Sequence, residues 1–237
     1  MICHHYKCVF IHIPKNAGQS IEHVFLKSLG LTWETRASLL LRENGHPALG
    51  PPRLAHLKAQ DYVGCNYLSQ ELFDTYYRFT FVRNPWSRVV SLYKYLGYSR
   101  RLSFKDFLKD TFLHGILPNM YWFVCPQSEL IYSEDGELLV DYIGRFETLQ
   151  SDFDQICMHI GFPQTPLPHI NISREKRDTQ NFLQRGGTAI MNRLRKADSF
   201  PSYASYCDYY DQETFDIVAD IYQKDIDNFK YSFRSLP

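Results

Sequence analysis

The chain has 237 residues, enough for one domain, or one domain with an embellishment. Its 44% hydrophobic and 22% charged residues are ordinary for a globular core, and the 16% aromatic content predicts a core and clefts rich in Phe and Tyr. The 26 basic and 26 acidic side chains cancel, so no global field favours nucleic acid or membrane, and any anion site must be local.

The N-terminal Met1-Ile-Cys-His-His-Tyr-Lys7 leads straight into the first strand, with no signal peptide and no apolar run long enough to cross a membrane. Val9, Ile11 and Ile13 alternate with Phe10 and His12, as in a strand of period two. Pro14 stops it, and Lys15-Asn16-Ala17-Gly18-Gln19-Ser20 supplies small, turn-forming residues. From Ser20 onward Ile21, Val24, Phe25, Ser28 and Leu29 recur at helical spacing, and Gly30 reads as the cap. A strand, tight turn and helix in this order aim backbone N–H groups and the positive end of a helix at one point, which binds an anion.

Arg36 to Glu43 is charged and leucine-rich, and the following Gly45-His-Pro-Ala-Leu-Gly-Pro-Pro52 is a turn-rich break. Composition makes the stretch from His56 to Tyr77 a connector, with a short helix from Ser69. Arg78 to Val82 is the second strand, and Asn84-Pro85 ends it at the start of a helix carrying Trp86, Val89, Val90, Tyr93 and Leu96, closed by Gly97. Trp86 is read as core. Ser103-Phe-Lys-Asp106 resembles a capping box that starts a short helix through Phe112.

Leu138 to Phe146 reads as a further strand. The next helix carries Leu149, Phe153, Ile156, Cys157 and Ile160 on one face and stops at Gly161. Arg174 to Lys196 is markedly basic, and Asp211 caps a final helix with Phe215, Val218, Tyr222, Ile226 and Phe229 as its stripe. Strands alternating with helices predict an α/β fold with a central parallel sheet flanked by helices. It is read as one domain over residues 1–237, with a basic insertion or loop at about 174–202. The six cysteines are scattered without metal-ligand spacing and are expected to be reduced and structural.

The turn is not a nucleoside-triphosphate loop of the G-x-x-x-x-G-K-[ST] kind, because its lysine precedes the small residues. Ile11-His-Ile-Pro-Lys-Asn-Ala-Gly-Gln-Ser20 instead resembles the 5′-phosphosulfate loop of sulfotransferases, F-I-H-I-P-K-T-G-G-T-S. Phe79-Thr-Phe-Val-Arg-Asn-Pro-Trp-Ser-Arg-Val-Val-Ser-Leu-Tyr93 resembles the same family's 3′-phosphate segment, F-x-F-V-R-N-P-x-x-R-x-V-S-x-Y. The chain is thus similar to carbohydrate sulfotransferases of the family 2 type, related to the uronyl and heparan sulfate 2-O-sulfotransferases, with a P-loop-like fold. Golgi relatives usually carry an anchor and stem. Their absence here implies a cytoplasmic, bacterial version or a trimmed form.

The resemblance implies sulfuryl transfer from 3′-phosphoadenosine 5′-phosphosulfate (PAPS) to a hydroxyl of a carbohydrate or glycolipid, leaving adenosine 3′,5′-bisphosphate (PAP). No metal is expected. Lys15 is assigned to the leaving-group oxygen, and Asn16, Ala17, Gly18, Gln19 and Ser20 to the 5′-phosphate. Gln19 replaces the family's threonine, which leaves its side-chain contact open. Arg83 and Ser91 are assigned to the 3′-phosphate, while Arg88 is expected at most to salt-bridge. The general base is assigned to His56, with His12 and then Glu71 as rivals, His12 being better placed to pack or orient the turn. The stretch from His56 to Tyr77 is expected near the acceptor cleft. The basic run either closes over the nucleotide, with Arg185-Gly-Gly187 faintly like an R-K-G element, attracts an anionic acceptor, or is a solvated loop. His169-Ile-Asn171-Ile-Ser173 also resembles a family segment and is given no role. Two other functions compete: a nucleotide kinase of similar architecture, and a non-catalytic nucleotide- or glycan-binding module.

Overall fold

The two runs of alternating apolar residues become neighbouring parallel strands. The structure is a computed structural model that describes residues 1–168 and 200–234. Its sheet has the order β1 (Ile2–Cys3), β2 (Cys8–Ile11), β3 (Tyr77–Val82), β4 (Tyr142–Arg145). β2 runs parallel to β3 and β3 to β4, with Ile11 opposite Thr80 and Phe81 opposite Gly144. The short β1 pairs antiparallel with β2 and was not foreseen, because two residues are too few to show a period. β4 is shorter than the predicted Leu138–Phe146.

Each face of the sheet is covered, as a parallel sheet requires. Phe10, Phe79 and Phe81 point to one side, where α1 (Gly18–Ser28) brings Ile21, Val24 and Phe25. The helix Leu149–Ile160 adds Phe153, Ile156 and Cys157 there. Val9, Ile11 and Val82 point to the other side and meet Leu54, Leu57, Tyr62, Phe73, Leu130 and Ile131. Tyr62 and Phe73 come from two short helices, α2 (Asp61–Gly64) and α3 (Gln70–Thr75).

A third cluster surrounds α4 (Pro85–Tyr95), which Asn84 caps by accepting from the N–H groups of Trp86 and Ser87. Trp86 is 3% exposed and stacks on Phe215 with ring centroids 5.1 Å apart, so it belongs to the core as predicted. Ser103 caps its helix as expected, but the helical path continues past Phe112. It runs through α5 (Phe104–Asp106), a π-helical stretch (Phe107–Ile116) and α6 (Leu117–Asn119), before α7 (Tyr121–Val124).

With the helix Leu149–Ile160 as α8, the predicted last helix proves to be two, α9 (Gln212–Ile221) and α10 (Gln223–Phe229). The break falls at Tyr222, whose hydroxyl donates to the Val124 carbonyl at 2.7 Å. Among the described residues no helix is long and apolar enough to cross a membrane. The basic run from Arg174 to Lys196, Arg185-Gly-Gly187 and His169-Ile-Asn171-Ile-Ser173 all lie outside the described residues.

The turn after β2 is built from left-handed residues that are not glycine: Lys15 at φ 73° and Ala17 at φ 64°. Such a conformation costs an L-residue about 1–2 kcal/mol. The next residue, Gly18, faces the opposite constraint. A Cβ there would lie 2.1 Å from the His12 ring. Neighbouring substitutions should therefore act in opposite directions. Ala17→Gly should raise stability by up to about 1 kcal/mol, part of the strain relief being offset by the freer unfolded chain. Gly18→Ala should lower it by about 1–3 kcal/mol. Thermal unfolding reads both, and an Ala17→Gly midpoint at or below wild type would contradict the strain.

Candidate active site

Because β2 and β3 are parallel neighbours, the turns that follow them open side by side. The first is Pro14–Ala17, leading into α1. The second is Arg83-Asn84, leading into α4. A helix that begins at Gly18 leaves the N–H groups of its first turn without intrahelical partners, and Ala17 offers no side-chain cap. Among the described residues only Ser20 turns back, its N–H donating to the Ala17 carbonyl at 2.9 Å. The start of α1 therefore presents free N–H donors and the positive end of its dipole, the arrangement that binds phosphate.

Asn16 plays a different part. It is 1% exposed, and its Nδ2 donates both hydrogens, to the Phe81 carbonyl and to Gln127 Oε1, each at 2.7 Å. Its Oδ1 is buried without a partner among the described residues. The side chain thus ties the loop to β3, and what Asn16 retains for an anion is its backbone N–H. Gln19 is half-buried and Ser20 buried at the head of α1.

Three cations gather here, and among the described residues none of them makes an ion pair. Arg88, 3% exposed, donates to the carbonyls of Pro14, Cys125 and Phe123 at 3.1, 2.9 and 3.4 Å. It holds the loop from below through backbone carbonyls, where a salt bridge was the expectation. Arg83 donates from Nε to Ser87 Oγ at 2.9 Å and from Nη1 to the Lys15 carbonyl at 3.1 Å, and its guanidinium lies 3.9 Å from the Phe146 ring centre. Among the described residues that leaves three of its five N–H hydrogens without a partner. Burial moves its pKa down to about 10. Ser87, not Ser91, takes the arginine in this state. Ser91 lies one turn further along α4 and is half-buried.

The Lys15 ammonium sits 3.6 Å above the ring centre of Tyr95. Burial, then repulsion from Arg83 and Arg88, bring its pKa down to about 7. A half-buried lysine beside two arginines, with only an aromatic face for company among the described residues, is an arrangement that favours an anion.

His56 closes the 3₁₀ turn Leu54–His56 and is 8% exposed. Its Nδ1 meets the His12 carbonyl at 2.9 Å. A carbonyl only accepts, so Nδ1 carries the proton and the neutral ring keeps a lone pair on Nε2. Burial, reinforced by His12, holds its pKa well below the ordinary histidine value, so the ring is neutral near pH 7. Trp122 and Phe123 flank it with centroids at 5.8 Å. Phe123 also lines the small pocket that Lys15 and Arg88 share. The lysine and the histidine therefore border one aromatic side chain.

His12, the rival, is 6% exposed with Nδ1 2.5 Å from Glu22 Oε1, and its ring packs against Gly18. It sits beneath the turn, as its strand position predicted. Glu71 is exposed on α3, at the end of β3 opposite the turns. Of the stretch from His56 to Tyr77 only the first residues lie near the site, since α3 feeds the far end of β3. Sequence reasoning missed Gln127, which is fully buried and bonds both turns; no motif marks it. Among the described residues no group of three or more His, Cys, Asp or Glu side chains is arranged to hold a metal.

The chain is 33% identical over 115 residues to an uncharacterized protein of Archaeoglobus fulgidus, a match that covers 46% of this chain and 88% of that protein. No solved structure matches it. A family model described as "Sulfotransferase family" matches residues 1–232, nearly the whole length, and the chain belongs to that family.

Proposed function

We propose that the chain moves the sulfuryl group of PAPS onto a hydroxyl of a carbohydrate or glycolipid acceptor. The observation that carries this reading is that Lys15, Arg83 and Arg88 gather at two adjacent turns with no ion pair among the described residues. A donor with a 5′-phosphosulfate and a 3′-phosphate offers one anion to each turn. The N–H groups of Asn16, Ala17, Gly18 and Gln19, with the hydroxyl of Ser20, bind the 5′ group, and Arg83 with Ser91 binds the 3′ group.

In the reaction the acceptor oxygen forms a bond to sulfur as the bond from sulfur to the phosphate oxygen breaks. The acceptor proton passes to His56 Nε2, and the negative charge left on the phosphate oxygen meets the Lys15 ammonium. Sulfuryl transfer, like phosphoryl transfer, depends chiefly on in-line positioning and charge stabilisation. The His12 carbonyl opposite Nδ1 keeps the imidazole in the tautomer that can accept this proton and stabilises the ring once it is charged. The carbohydrate acceptor rests on family resemblance.

The lysine makes donor binding depend on pH. Its free pKa is about 7, and a bound polyanion raises it. Binding therefore takes up a proton above pH 7, and affinity should fall from pH 7 to 9 by up to about tenfold per pH unit. Calorimetry with PAP in buffers of different ionisation enthalpy measures both effects. In Lys15→Met the slope should vanish. A pH-independent wild-type affinity, or no preference for PAP over 5′-AMP, would remove the proposed donor site.

Catalysis should follow a bell-shaped profile in kcat/KM. The alkaline limb belongs to Lys15, near pH 7, and the acid limb to His56, well below pH 6.5. His56→Asn should lower kcat by about 10²–10⁴ and abolish the acid limb while PAP still binds. If transfer survives with the acid limb intact, His12 becomes the base to test.

A further inference from the structure

β3 ends at Val82, and among the described residues no strand lies beside the next residue, Arg83, to take its backbone N–H and C=O. Such groups need partners when water is excluded. The side chain of Gln127 supplies them. Its Oε1 accepts from the Arg83 N–H at 2.9 Å, and its Nε2 donates to the Arg83 carbonyl at 2.8 Å. A side-chain amide is a peptide unit in miniature, so Gln127 acts as one residue of a missing neighbouring strand.

The same Oε1 accepts from Asn16 Nδ2 at 2.7 Å. One oxygen therefore bridges the turn after β2 and the turn after β3. Gln127 lies 111 residues from Asn16 and 44 from Arg83 in the chain, and it is 0% exposed. Its own place is fixed from elsewhere. The Asp225 carboxylate on α10, also 0% exposed, accepts from the Gln127 N–H at 2.7 Å through Oδ2 and from the Ser128 N–H at 2.8 Å through Oδ1. The break at Tyr222 makes this possible, because Tyr222 bonds the Val124 carbonyl and Asp225 reaches Gln127 from the next turn.

We infer that Gln127 is a positioning residue that sets the distance between the two anion-binding turns, so that one ligand engages both at once. The inference rests on the proposed donor reading. A ligand with two anionic ends gains affinity over either end alone only when the two receiving groups are held at the matching separation. Gln127 touches neither anion. Its removal leaves each turn with its own donors and loosens only their spacing. The effect therefore belongs to the joint binding of the two ends, not to either one.

The test compares three ligands, PAP, 5′-AMP and 3′-AMP, by calorimetry against wild type and Gln127→Met, a variant of similar size that forms none of these hydrogen bonds. Wild type should bind PAP well above either monophosphate. Gln127→Met should lose roughly tenfold or more in PAP affinity, while each monophosphate changes by less than about threefold. Should Gln127→Met fail to fold, Gln127→Asn keeps an amide one methylene too short to reach both turns and carries the same comparison. Equal losses for all three ligands would mean a purely structural role and overturn the inference. So would retention of the full PAP preference. A wild type that does not prefer PAP would overturn the donor reading itself, and this inference with it.

Discussion

The site depends on the parallel register of β2 and β3. With Ile11 opposite Thr80, the two strands run out within two residues of each other, and both following turns emerge at the same edge. Antiparallel pairing would have sent them to opposite ends of the sheet, and a slip of one residue would have exchanged the two faces. Bonds beyond the regular ladder keep this register tight. The Thr80 hydroxyl donates to the Ile11 carbonyl, Asn16 to the Phe81 carbonyl and Arg83 to the Lys15 carbonyl. The ladder is thus prolonged by side chains past the point where the strands have ended.

Concentrating positive charge at this edge costs stability, because like charges repel and burial strips them of water. The three cations meet that cost to different degrees. Arg88 gives hydrogen bonds to three carbonyls and behaves as part of the frame. Arg83 gives two and rests on Phe146, so it is held but not saturated. Among the described residues Lys15 has only the face of Tyr95. The least satisfied cation has the pKa most open to change by an arriving anion, and it is the one assigned to the leaving oxygen.

Local pattern made much of this legible in the sequence. Strand, turn and helix at residues 8–28, the helix starts at Ser69 and Asn84-Pro85, the caps at Ser103 and Asp211, and the stop at Gly161 all follow from periodicity and end signals within a dozen residues. Other features rest on contacts across long stretches of chain. Gln127 sits in a segment with no phosphate-binding signature, and its partners in the two turns are 44 and 111 residues away. Arg88 lay inside a recognised motif, yet its partners are carbonyls, which leave no trace in residue type. The stripe from Phe215 to Phe229 satisfies a single helix in period, and only the Tyr222 bond to Val124 explains the break.

His12 links the donor loop to the proposed base through both of its halves. Its ring fills the space above Gly18 and meets Glu22 on α1, so any shift of the turn moves against a packed, hydrogen-bonded side chain. Its carbonyl receives the Nδ1 proton of His56 and so sets which nitrogen of the base is free. The position of the base is thereby referred to the same short segment that carries Lys15, three residues further on. The proposed proton removal and the proposed leaving-group stabilisation share one anchor point. In the proposed mechanism a turn that holds the donor correctly therefore also holds the base correctly, and the connector from β2 to His56 needs no precision of its own beyond that single hydrogen bond.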